Sequence, residues 1–577
     1  MQRVLRLRAS FPEIAAMTTI PISDSHERNG VGAALLNRNR LRILGLTPGE
    51  IIKYFFGGNA AVAIIVLALI TIFLFREGAG FFGMDTRSIR IYRLAGLEYV
   101  DFIRSQVDAH TAINRTLNDV RLAQFNKLTA VGCSPDEITA ALERFDAFAN
   151  AYGDAVIDVR SVLSDLTDAA TAIKTKETVN SDRIEQRRML IGAGRADEAA
   201  KVQIDPVDFG KETSVLKATF PTYQKANEQF AAKLTAALAT APALPDPGMQ
   251  AQVEKIKTKT RAFIATFPRI ESEMQAWRWD EPIPAYKSLT GFLFGREWLT
   301  ASFWQDWYGI VPLFAGSLLV SIIALVIAVP LGVASAIYVS EIAGAREKHF
   351  IKPAIEFISA IPSVVLGFFG IAILGTFIRS ISNGDLHWIP WINWDSAPFS
   401  NIEAAFHWLV SWVPGFPMSE RLNSLTAGAL LAFMAVPTIF SLSEDALNNV
   451  PRHLKEASYA LGANRLQTIV RILVPASLSG IISATLLGFG RVIGETMVVL
   501  LCAGNRIAIP DFTQGLGAFF QPVHTMTGII AQEMGEVVPN SIHYRALFMV
   551  GIVLFLLALV INFVAQKIVT RYRISIG

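Results

Sequence analysis

Tyr54 to Phe75 reads YFFGGNAAVAIIVLALITIFLF, 22 residues without a single charge. An α-helix rises 1.5 Å per residue, so roughly 20 residues cross a hydrocarbon layer about 30 Å thick. Four more uncharged runs meet that length: 308–340, 357–377, 422–443 and 546–566. A sixth, Pro475 to Ala503, is equally apolar except for Arg491 and Glu495. A buried core helix mimics one such run, but one soluble core does not hide six of them. The composition agrees, with 52% hydrophobic and only 18% charged residues, against about 25% charged in soluble domains. The expected fold class is all-α: a polytopic membrane protein with six transmembrane helices.

Several function classes drop out early. The first run starts about fifty residues in and outlasts a signal-peptide core, so it reads as a retained span. Cys133 and Cys502 lie in different settings and imply neither a disulfide framework nor a metal motif. His407, His524 and His543 lack metal-ligand spacing, and no nucleophile–base pair is visible. A G-x-x-x-x-G-K-[ST] loop is missing too; Gly367-Phe368-Phe369-Gly370 has neither the lysine nor the strand-to-helix context. The chain is therefore expected to carry no catalytic site, metal site or bound cofactor. Its basic ends suit anionic lipid and do not amount to a nucleic-acid site.

Basic residues near span ends set orientation. Arg38, Arg40, Arg42 and Lys53 precede the first span, and Lys567, Arg571 and Arg573 follow the last. Arg346, Lys348 and Lys352 separate spans two and three; Arg452, Lys455, Arg465 and Arg471 separate four and five. Six spans with both termini in the cytoplasm place all four clusters inside. The expected organisation is a cytoplasmic segment 1–53, a first transmembrane helix 54–75, an extracytoplasmic helical insert 76–307, a membrane core 308–566 with a cytoplasmic loop 447–474, and a cytoplasmic tail 567–577.

Within the insert, Ser134-Pro135-Asp136-Glu137 has the residues of a capping box with proline at the first helical position. Leu142, Phe145, Tyr152, Val156, Val159, Leu163 and Leu166 follow at helical spacing, as one face that needs a partner. Residues 97–130 repeat the pattern, and 243–247 (ALPDP) reads as a break before another helix. Two readings stand: a bundle that braces the membrane core, or a docking surface for a soluble partner.

The loop from Val450 to Pro475 reads VPRHLKEASYALGANRLQTIVRILVP. Leu454 to Leu461 is expected to be helical, closed by Gly462, with Asn464 capping a second short helix that ends before Pro475. Physics alone allows a connector or a lever acting on another protein. Here Glu456-Ala457-Ser458, Gly462, Ile472, Val474 and Pro475 resemble the EAA loop of ABC importer permeases, departing mildly at Ser458 and Val474. The resemblance implies a coupling helix seated in a separate ATPase, with Glu456, Ala457, Ser458 and Gly462 at the contact. Three further stretches, SAIPSVVLGFFG from Ser359, VPTIFSLSEDALNNVP from Val436 and GRVIGETMVVLLCAGN from Gly490, resemble the phosphate importer permeases, closest to the PstC-type subunit. That resemblance covers 308–566 closely and 54–75 loosely, and the large insert departs from it. It implies ATP-driven import of inorganic phosphate across the inner membrane by alternating access. The implied partners are a PstA-like second permease, two ATP-binding subunits carrying ATP–Mg, and a periplasmic phosphate-binding protein. Another oxyanion, such as sulfate or molybdate, is the alternative substrate. A membrane sensor or scaffold using the insert is the alternative from a different class.

Arg491 and Glu495 remain to be explained. An arginine at mid-span costs about 2.5 to 3.5 kcal/mol on insertion scales, so it normally faces other helices or a wet cavity. Four apart on one helix, the two side chains are expected to share a face and can pair directly, or meet through substrate or a partner subunit. One reading is a structural salt bridge. The other is a substrate path in which the guanidinium fork meets an oxyanion and Glu495 competes for it. The resemblance implies the second, and Thr496 offers either a path hydroxyl or ordinary back-bonding. Gly490 and Gly494 read as a helix-packing face or as space beside Arg491. Pro362, at the start of the third span, is expected to bend it.

Overall fold

The computed structural model describes residues 48–130, 133–242, 247–300, 302, 304–386, 396, 399–411, 418 and 420–571. Arg38, Arg40, Arg42, Arg573 and the 243–246 part of the expected break lie outside the described residues. Among the described residues six helices are long and apolar enough to cross a membrane: Phe55–Leu94, Val311–Ile342, Ser363–Ser382, Ser424–Asn448, Arg465–Ile493 and Ile542–Ile568. Contacts divide the chain into two units, residues 1–73 and 74–577. The described part of the first is helical from Pro48 onward.

In the second unit, the insert is a helical bundle with its own core. Leu97–Ala130 packs against Pro135–Asp154, Ile157–Gly192 and Pro247–Ile264. The capping box forms as read: Ser134 accepts from the Glu137 N–H, and Glu137 accepts from the Ser134 N–H at 2.8 Å. The single helix expected to follow is corrected to two, which meet at Ala155–Val156. The corner turns Tyr152, Ala155, Val156 and Val159 into one core with Phe145 and Phe148. Inside that core Gln106 Nε2 donates to Asn227 Oδ1 at 2.6 Å, and the Tyr223 hydroxyl donates to Gln106 Oε1 at 2.9 Å. Asn227 Nδ2 in turn donates to Glu271 Oε1 at 2.6 Å. A satisfied polar chain of this kind fixes helix register, which an oily interface alone leaves loose.

The insert is rooted in the membrane core by shared packing. Phe81, Phe292, Trp298 and Tyr308 bury against Leu313, Met526, Ile529, Leu547 and Val550. Trp298–Leu299 and Trp307–Tyr308 pair as a two-stranded antiparallel hairpin just before the second span. Apolar periodicity showed none of this joint, because it gathers segments around Phe81, Phe292 and Met526 that lie more than 200 residues apart in sequence.

Prolines and glycines cut the spans differently from the hydropathy reading. Pro362 does not bend a helix; it ends one segment and starts the next. It precedes Ser363–Phe369 as an extended cap (φ −59°, ψ 138°), and its carbonyl accepts from Val365 and Leu366. A missing N–H and a ring that disfavours helical geometry at Ile361 explain the break. The opposite correction applies at Pro475, where the second loop helix was expected to stop. The helix runs from Arg465 through a π-turn at Ile469–Leu473 into Val474–Ile493. The wider turn just ahead of the proline absorbs its missing donor.

Glu98 ties the insert's first corner to distant segments. It accepts from Arg93 Nε at 2.5 Å, Lys287 Nζ at 3.0 Å and Trp277 Nε1 at 3.2 Å. Burial raises its pKa, but these three donors outweigh burial and hold it down at about 2. A folded-state pKa below the unfolded value gives stability that is present above pH ~4.5 and is lost as pH falls toward 2. Asp101 carries the opposite sign: burial pushes it up to about 6, so its contribution is lost as pH rises through that value. Tryptophan fluorescence during thermal unfolding is expected to show the acid loss in the wild-type chain. Glu98→Gln is expected to lower stability at pH 7 and to flatten the acid slope.

Candidate functional site

Close helix packing sets the stage. A Cβ added at Gly480 would stand 2.4 Å from Ala446 Cβ, and one at Gly488 would stand 2.8 Å from Ile439 Cγ1. These two glycines let the fifth span lie directly on the fourth. The close approach expected at Gly490 and Gly494 falls elsewhere: nothing lies within 4 Å of a Gly490 Cβ, and Gly494 meets only carbonyls of its own chain turn. Gly490 thus borders open space beside Arg491.

Arg491 sits in the last turn of Val474–Ile493. Its Nη1 donates to Thr438 Oγ1 at 2.9 Å. Thr438 lies on Ser424–Asn448, one residue after the internal Pro437. At 1.5 Å per residue it is about 21 Å from the start of that helix and about 15 Å from its end. The guanidinium therefore acts near the middle of a membrane-length helix.

The direct Arg491–Glu495 pair that the spacing allows does not form among the described residues. Helix geometry stops at Ile493, Gly494 closes the turn, and Glu495 lies in a break before Met497–Cys502. With the axis interrupted, the four-residue spacing no longer stacks the two side chains. Among the described residues Arg491 has no ion-pair partner and remains exposed, bonded to a neutral hydroxyl. Glu495 instead serves the break: its Oε1 accepts from the Met497 N–H at 3.2 Å, and its carbonyl accepts from Thr527 Oγ1 at 2.8 Å. Around it Ser317, Ser321, Thr525 and Thr527, with Val320, Leu431 and Val499, line a very small cavity. Thr496 caps Met497–Cys502 by position, without a side-chain bond to the helix.

Beyond the break, Gly504 brings three strands of chain together. Its φ is +87°, and a Cβ there would stand 2.6 Å from the Leu422 carbonyl oxygen and 2.5 Å from Pro522 Cβ. Ala503-Gly504-Asn505 supported the family resemblance, but only the structure shows what its glycine does. Thr438, Gly480 and Gly488 were also missed. Gly480 and Gly488 lie outside the Gly490–Gly494 spacing, and Thr438 is an ordinary residue on an apolar helix.

The loop between spans four and five is a rigid helix-turn-helix. Arg452–Ala460 ends in a Schellman turn: Gly462 (φ +82°) donates to the Tyr459 carbonyl, and Ala463 donates to the Ser458 carbonyl. Asn464 then forms a capping box with Gln467. Ser458, where the family pattern has alanine, is buried and shares a hydrogen bond of 2.9 Å with Thr468 Oγ1 across the turn. Lys455 pairs with Glu341, which fastens the loop to the end of the second span. Glu456 and Ala457 are exposed, as are Tyr459, Leu461 and Leu466. Leu461, 89% exposed at the turn, is an apolar contact left open to a partner.

Six spans, a broken fifth helix and a stiff, outward-facing loop between spans four and five define a transport permease. Residues 328–574 match the family described as "Binding-protein-dependent transport system inner membrane component". The chain is 34% identical over 295 residues to the "Probable ABC transporter permease protein YqgH" of Bacillus subtilis, covering 49% of this chain and 82% of that one. It is 30% identical over 280 residues to the "Phosphate transport system permease protein PstC" of Pasteurella multocida, covering 48% and 79%. Likeness to a chain of the inward-facing MetNI methionine transporter is loose, at 19% identity, 46% and 94% coverage and a TM-score of 0.28. The chain belongs to this permease family, as a PstC-like, multi-pass protein of the inner membrane. In such systems the ATPase is a separate subunit, and a substrate-binding partner delivers the cargo.

Gly504→Ala is expected to lower the yield of folded protein sharply, because both the positive φ and the carbonyl contact oppose a methyl group. Gly490→Ala is expected to leave the yield unchanged. Size-exclusion profiles of the detergent-extracted variants compare the two.

Proposed function

We propose that this permease imports inorganic phosphate, with Arg491 as the cation that meets the anion partway through the membrane. The observation that carries the proposal is the Arg491–Thr438 arrangement: a mid-span guanidinium held by a neutral hydroxyl and, among the described residues, without a carboxylate partner. A strong ion pair would have to be broken for each anion. One hydroxyl bond positions the fork while leaving most of its donors available. Glu495, one helix break away, supplies negative potential near Arg491 and favours release. In this reading it acts through space and through the break, not as a direct competitor for the guanidinium. Thr496 and Thr438 add hydroxyls along the same route, and Gly490 leaves room beside it.

Both termini and the loop 447–474 lie in the cytoplasm, and the insert lies in the periplasm. The support is the four basic clusters near span ends. The chain pairs with a PstA-like permease, two ATP-binding subunits carrying ATP–Mg and a periplasmic phosphate-binding protein. ATP binding closes the ATPases, and Glu456, Ala457, Ser458 and Gly462 transmit that closure. Lys455 and Glu341 carry it into the second span, while the continuous helix from Arg465 carries it toward Arg491. This chain itself performs no hydrolysis.

Uptake of radioactive phosphate by the complete reconstituted complex tests the assignment. Arg491→Gln is expected to cut uptake at least tenfold without changing assembly, and Arg491→Lys, which keeps charge but loses the fork, to retain part of it. Wild-type uptake by Arg491→Gln overturns the role. Transport of sulfate or molybdate in place of phosphate moves the substrate to another oxyanion.

A further inference from the structure

A cavity of about 930 Å³ lies away from Arg491, where the insert overhangs the membrane core. Its walls come from three distant parts of the chain. Arg115 and Asp119 belong to the insert helix Leu97–Ala130. Glu420 and Arg421 stand just ahead of the fourth span, and Arg506 and Asp511 follow the fifth. The fourth span starts at Ser424 beside this cavity and ends at Asn448 beside the coupling loop. Its 25 residues separate the two by about 37 Å. The cavity is thus at the opposite end of the core from the loop.

Arg115, Arg421 and Arg506 are all exposed, and no side chain among the described residues forms an ion pair or hydrogen bond with their guanidinium groups. Nor do the carboxylates of Asp119 and Glu420 have such partners, although they line the same space. Opposite charges in one cavity would normally close on each other. Here the folds that carry them hold them apart: a bundle helix on one side, and on the other the loops pinned where Gly504 meets Leu422 and Pro522. A small group that both accepts and donates fits between them. Guanidinium forks bind its bare oxygens, and carboxylates accept from its hydroxyl. A tetrahedral oxyanion that keeps a proton at neutral pH, of the hydrogen phosphate kind, has that chemistry.

We propose that this cavity is a loading vestibule that holds a protonated oxyanion between Arg115, Arg421 and Arg506 before it descends to Arg491. It rests on the reading of the chain as an oxyanion importer whose coupling loop faces the ATPase. It also gives the insert a direct part in transport. Arg115, on the insert helix, lies outside the matched family region 328–574.

The test is arginine modification by phenylglyoxal in the complete complex, held in phosphatidylcholine vesicles and mapped by mass spectrometry. Millimolar inorganic phosphate is expected to slow modification of Arg115, Arg421 and Arg506 several-fold. In an Arg421→Gln complex, protection of the other two is expected to weaken, while Arg421→Lys retains more of it. Protection is also expected to persist in Arg491→Gln, where uptake is lost, so failure at the lower site does not imitate failure here. Protection by sulfate but not phosphate keeps an oxyanion vestibule while removing both its preference for a protonated anion and the phosphate assignment. Unchanged modification rates with either anion overturn the proposal. So does protection by the substrate-binding partner alone, which marks a docking surface instead.

Discussion

A guanidinium near the middle of an apolar bundle is the constraint around which the membrane core is arranged. Removing that charge from water is costly unless polar groups or a wet route receive it. The chain meets the constraint with one hydroxyl, Thr438, and with open space beside Gly490. Gly480 and Gly488 bring spans four and five close enough for the bond to form. The helix break at Gly494–Thr496 then takes Glu495 off the shared face, which prevents the pair that would neutralise the cation. Packing, break and charge are one device: each loses its purpose without the others.

The two ends of the core are built for different physical tasks. The loop after the fourth span is stiff because its Schellman turn, capping box, Ser458–Thr468 bond and Lys455–Glu341 pair act on the same few residues. Stiffness suits the coupling role proposed for this loop. At the far end the chain is held open instead, with the charged side chains of Arg115, Arg421 and Arg506 around a cavity of about 930 Å³. The shared Phe81–Tyr308–Met526–Leu547 core makes the insert part of that second end rather than an appendage.

Much of this was legible in the residues. Uncharged length gave six spans, and the loop's glycine and asparagine marked its turn and cap. Ser134 to Glu137 stated its own capping box. The failures share a cause. Spacing along one helix predicts a shared face only while the helix continues, and nothing in Gly494-Glu495-Thr496 announces the break that Thr527 stabilises from a distant segment. Pro362 and Pro475 have the same local chemistry, yet one ends a helix and the other is carried through a π-turn. Neighbouring helices decide between those outcomes. Thr438, Gly488 and Arg115 gain their roles only from partners far away in sequence, which a single chain read in order does not display.

If Arg491 serves an alternating route, its surroundings open to water on one side at a time. A cysteine at Thr438, in a complete complex lacking Cys133 and Cys502, reports this through a membrane-impermeant thiol reagent applied to either face. Labelling is expected from one face in the resting complex and from the opposite face when the ATPases are trapped closed. Resistance to the reagent from both faces in every state would contradict it.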